Sequence, residues 1–94
     1  MSEEVFSIAI YEPLPGMEEQ SLATMRELMS ILSEQGYSRD TLYRNDHGHY
    51  VLLRYWKSEE ARRSAAENPD LQRCWARLAH EITIIKIYEK LDEV

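Results

Sequence analysis

The sequence predicts an α+β domain with the element order βαββαβ, built around a four-stranded antiparallel sheet. Three observations predict it. Four runs are rich in β-branched and aromatic residues, at 5–12, 39–45, 49–56 and 82–91. Two stretches between them carry apolar residues at helical spacing. The tetrapeptide Asn45-Asp46-His47-Gly48 is turn chemistry and makes a hairpin of the two middle runs.

The first strand, "VFSIAIYE", ends at "PLPG", where Pro13 and Pro15 cannot donate to a ladder and Gly16 permits a turn. The helix predicted over 17–36 places Leu22, Met25, Leu28, Met29 and Leu32 on one stripe. Glu18 and Glu19 suit its positive N-terminus and Gly36 its C-terminal end. After the hairpin, Ser58 is placed to cap a helix over 57–69, with Glu59 and Glu60 in its first turn. Asn68-Pro69 breaks that helix, and it restarts over 70–81 with Asp70 as the expected cap and Leu71, Trp75, Leu78 and Ala79 on one face. The run "ITIIKIYEKL" is the fourth strand. This is the ferredoxin-like order, in which both helices cover one face of the sheet.

Ninety-four residues make one domain, spanning 1–94. A chain of this length buries roughly 60% of its unfolded surface, so association would help it. The formal net charge of -6 repels phosphate backbones, which argues against a nucleic-acid partner. The one cysteine, Cys74, excludes an intrachain disulfide and fits a reducing compartment. The N-terminus lacks the pattern of a signal peptide and no run has the length of a membrane span, so the expected location is cytoplasmic.

A sheet face open to water should alternate apolar with polar residues. Strands 1, 3 and 4 instead carry apolar side chains at successive positions. The expectation is a homodimer, with a second sheet packing across the open face. Arg54, alone among Tyr50, Val51, Leu52, Leu53, Tyr55 and Trp56, is expected in a semi-polar cavity between the two sheets, beside Trp56 and Tyr50. The competing expectation pairs Arg54 with Glu12 or Glu89 on a neighbouring strand.

The stretch "YVLLRYWKSEEARRSAAENPDLQRCWARL" resembles the antibiotic-biosynthesis-monooxygenase-like proteins, in which a strand ends in Trp-x-Ser/Asp before a helix, a short break and a second helix. The element order and the chain length agree with that family over nearly the whole sequence. The resemblance implies a dimeric α+β barrel with a cavity between sheet and helices or between sheets. Members oxidise polycyclic phenols with O₂ and no cofactor, and others degrade haem. The haem-degrading members use a Trp, a His and an Asn whose matching positions here are Ala65, Trp75 and Ala9. His80 does not match by position. The polyketide-oxidising members carry an Asn four residues before the Trp, where this chain has Leu52.

The expected function is therefore a monooxygenase-like protein that binds or oxidises a small planar aromatic without a cofactor. Arg54 and Trp56 are its candidate catalytic residues: a guanidinium can hold a phenolate and an indole can stack on a ring. Tyr11, Tyr50, Trp75 and Tyr88 are the candidate ligand-lining residues. The bland alternatives are that Trp56 closes the sheet end and the tyrosines simply favour strands. His47, His49 and His80 lack partners at ligand spacing, so no metal site is expected. Cys74 reads as a small buried hydrophobe. Two other functions stay open: a non-catalytic dimeric barrel with a binding or regulatory role, and haem binding.

Overall fold

A computed structural model describes residues 4–94. Its elements are β1 (Val5–Pro13), α1 (Glu18–Glu34), β2 (Ser38–Arg44), β3 (Tyr50–Trp56), α2 (Glu59–Ala66), α3 (Pro69–Leu78) and β4 (Ile82–Leu91). The four strands form one antiparallel sheet in the order β2-β3-β1-β4. The predicted fold class is the observed one.

Local chemistry sets the boundaries. Gly36 sits at φ 71° past the end of α1, and two bonds close the helix: Gly36 N–H to Ser33 O at 3.1 Å and Tyr37 N–H to Leu32 O at 2.9 Å. This is a Schellman end, and it turns the chain straight into β2. The Ser58 hydroxyl accepts from Ala61 N–H at 3.0 Å, as its position predicts. The restart differs from expectation. Asn68, not Asp70, caps α3, its Oδ1 accepting from Asp70 N–H at 2.9 Å and Leu71 N–H at 3.3 Å. The reason is Pro69, which takes the first helical position, where a missing N–H costs nothing.

The helices pack on the sheet face formed by Val5, Ala9, Tyr11, Tyr50, Leu52, Arg54 and Trp56. Met25, Leu28 and Leu32 of α1 meet Leu71, Cys74 and Leu78 of α3 over it, and Ala65 of α2 completes the core. The opposite face carries Phe6, Ile8 and Ile10 against Tyr55, Leu53 and Val51 in register. No helix covers this face. Phe6 and Tyr55 stack there with ring centroids 4.4 Å apart, and the Arg39 guanidinium lies 4.1 Å from the Tyr55 centroid.

Strand β4 departs from simple alternation. Its register against β1 shifts between Phe6 and Ile8 and again between Ile10 and Tyr11. The second shift leaves Ile85 unopposed, so Ile84 stands across from Tyr11 and Lys86 across from Ile10. Ile84 and Ile87 then share the helical side, while Tyr88, opposite Ile8, falls on the open side. A strict two-residue period puts Ile84 and Tyr88 together, and the bulge at Ile85 separates them.

Two substitutions test this account by urea denaturation. Leu71→Ala empties a fully buried position and is expected to cost about 2–5 kcal/mol. Asn68→Ala removes only the cap of α3 and is expected to cost about 1 kcal/mol. Equal losses would contradict it.

Candidate functional site

A cleft of about 360 Å³ lies between the sheet and the helix layer. Its floor is Ala9 and Tyr11 of β1 with Leu52 and Arg54 of β3. Its roof is Met25 and Leu28 of α1 with Trp75, Leu78 and Ala79 at the end of α3. Ile82, Ile84 and Ile87 of β4 form the rim. The helices stop short of β4, so Ile84 and Ile87 remain 50% and 52% exposed and the cleft opens past them. A smaller recess of about 160 Å³ adjoins it, lined by Trp56, Arg62 and Glu89, and Arg54 borders both.

Arg54 is held by Asp40, its partner across the β2–β3 ladder. Its Nε and Nη2 donate to Asp40 Oδ2 at 2.9 and 2.8 Å. The Ser38 hydroxyl donates to Asp40 Oδ1 at 2.9 Å. The pair is desolvated, with side chains 10% and 2% exposed. Leaving either partner alone there would cost about 3–5 kcal/mol, so the geometry is fixed. Among the described residues Nη1 has no hydrogen-bond partner, and it is the donor left for the cleft. The guanidinium carbon also lies 5.3 Å from the Trp56 ring centroid.

These positions correct the expected placement of Arg54. It faces the helices rather than a space between two sheets, and its partner is Asp40 rather than Glu12 or Glu89. Glu12 instead lies 3.6 Å from the His49 imidazole, and Glu89 lies 3.6 Å from Arg62. The other candidates divide. Tyr11 and Trp75 line the cleft with Arg54. Trp56 is buried in the wall of the adjoining recess. Tyr50 stacks behind Tyr11 with centroids 5.2 Å apart and planes 9° from parallel. Tyr88 is on the other side of the sheet and 44% exposed, so it cannot share a ligand with them.

Asp40 escaped the sequence reading. The signal was the hairpin loop length. A loop over residues 45–49, closed by Asn45 N–H to His49 O at 2.9 Å, sets Arg44 opposite Tyr50 and therefore Asp40 opposite Arg54. A loop one residue shorter would put Asp40 across from Leu53.

Burial, reinforced by neighbouring Tyr50, pushes the Tyr11 hydroxyl far above its ordinary 10.0. It is a neutral hydrogen-bond donor across the physiological range. Burial also raises the Cys74 thiol, which points away toward Glu27 and donates to its carboxylate at 3.6 Å. None of the three histidines lines the cleft. Among the described residues no cluster of His, Cys, Asp and Glu could hold a metal ion. No helix among them is long and apolar enough to cross a membrane.

The raised Tyr11 value has a measurable sign. The unfolded chain ionises this phenol near pH 10.0 and the folded chain does so later, so folding stability is present below pH 10.0 and declines above it. Denaturation midpoints taken at rising alkaline pH should fall in the parent protein and fall less in Tyr11→Phe. Identical slopes would contradict the burial argument.

The model of the antibiotic biosynthesis monooxygenase family matches residues 5–77. No curated protein matches the chain in sequence. Among solved structures, SnoaB, a cofactor-independent oxygenase from Streptomyces nogalater, is 18% identical. It superposes with a TM-score of 0.80 over 99% of this chain and 98% of its own. Rv0793 from Mycobacterium tuberculosis is also 18% identical, with a TM-score of 0.78 over 97% and 98%. At such identities the structures establish a shared fold and no more. The family match runs from the first strand through the helix that roofs the cleft, and on it the chain belongs to the antibiotic biosynthesis monooxygenase family.

Proposed function

We propose that the cleft binds a small planar phenol or hydroquinone and that the protein oxidises it with O₂, without a cofactor. The observation that carries this reading is an apolar slot lined by two polar side chains, Arg54, held by Asp40, and Tyr11. Its volume lies at the small end of ligand cavities. Trp75 and the isoleucine rim suit a flat apolar body, and the Arg54 guanidinium suits a phenol oxygen. A guanidinium beside a phenol favours the phenolate, which is the form that gives an electron to O₂. The residues lining this cleft include no carboxylate and no imidazole, so the phenol proton leaves to water. Recombination of the two radicals at the ring carbon gives a hydroperoxide. Loss of water then yields a quinone: phenol plus O₂ gives quinone plus H₂O. The family and SnoaB, a cofactor-independent oxygenase, agree with this chemistry.

Two features favour a second reading. The family's oxidising members carry Asn where this chain has buried Leu52, and the Arg54 charge is already matched by Asp40. On that reading the same cleft binds an aromatic without turning it over. Haem binding has no support from the cleft, which offers no axial histidine.

The test uses 1-naphthol. It should raise the melting midpoint, by about 2.7 kcal/mol of stabilisation at a hundred times its dissociation constant. Oxygen uptake should match quinone formed, one for one. Arg54→Met combined with Asp40→Asn removes the cation without stranding a charge, and it should abolish both effects while the protein still folds. Stabilisation without oxygen uptake selects the non-catalytic reading. No stabilisation overturns both.

The uncovered sheet face supports a homodimer formed sheet to sheet. Leu53→Asp, a charge at its centre, should convert a dimer to a monomer by light scattering. A monomeric parent protein would refute this arrangement.

A further inference from the structure

The chain has eight arginines, and six of them lie within 4.0 Å of a carboxylate. The two that do not, among the described residues, are Arg26 and Arg44. Both line one cleft of about 470 Å³, on the far side of α1 from the candidate active site. Their isolation has a local cause. On α1 the neighbours of Arg26 at three and four positions are Leu22, Ala23, Met29 and Ser30, none of them acidic. On β2 Arg44 stands opposite Tyr50, and its guanidinium carbon lies 6.0 Å from that ring centroid. In a chain of net charge -6, two unmatched guanidiniums facing the same space are a departure that surface chemistry does not require.

We infer that this cleft between α1 and β2 is a second binding site, for a planar aromatic monocarboxylate. Two guanidinium forks match a carboxylate. Leu22, Met29 and Leu42 give the apolar wall, and Tyr50, whose ring lies beside Arg44, gives an aromatic surface against which an aromatic body can lie. Asp40 lies in the floor, and its charge opposes an anion. Its two oxygens are taken by Arg54 and Ser38, so the opposition is reduced rather than absent. That residual charge disfavours a dianion, which is why the assignment is a carboxylate and not a phosphate. The site is independent of any reaction in the cleft under α3.

The experiment is amide chemical-shift mapping on the full chain with naphthalene-2-carboxylate, its neutral carboxamide, and inorganic phosphate. The carboxylate should shift amides of residues 22–29 and 41–44 saturably, and the carboxamide should not. The double variant Arg26→Gln with Arg44→Gln should lose the response while keeping its melting midpoint, since both side chains are exposed. The inference is overturned by an equal response to the carboxamide, by a response that survives in the double variant, or by shifts confined to Trp75 and Ile84. Equal competition by phosphate would also overturn it, because it would mean that charge alone is being read.

Discussion

A guanidinium inside a small domain must be paired, and the Arg54–Asp40 pair is the constraint around which this sheet is organised. It ties β2 to β3 in one register. It places a cation in the wall of an apolar cleft. A buried pair of this kind adds little net stability over a well-packed apolar alternative. What the pair supplies is register more than net stability.

The order of elements and their approximate limits were legible because they rest on local rules: period, caps and turn residues. Gly36, Ser58 and the Asn45–Gly48 turn behave as their chemistry requires. What was not legible depends on one-residue differences. The partner of Arg54 follows from a loop of five residues rather than four, and strand propensity cannot count that residue. The face of Tyr88 follows from bulges in β4, whose run of isoleucines gives no preferred phase. The side of the sheet that Arg54 takes is hidden in the sequence for a related reason: both faces of β3 are apolar, so hydrophobicity does not say which one meets the helices.

The same ambiguity has a physical origin. A sheet greasy on both sides is under two demands, a core on one face and a covering on the other. Helices α1 and α3 meet the first. The stacked Phe6 and Tyr55, with Arg39 laid across the ring, partly shield the second. The helix layer itself is narrower than the sheet. It stops short of β4, and this mismatch in width is what leaves the cleft there open.

The open rim at β4 separates what shapes the cleft from what holds the protein together. Leu28, Leu52 and Leu78 serve the core and the cleft at once, so changing them risks the fold. Ile84 and Ile87 touch the cleft from solvent and contribute little to the core. Drift at these two positions can therefore alter which molecules enter while stability is almost unchanged. A chain with this architecture can change its ligands from the mouth inward.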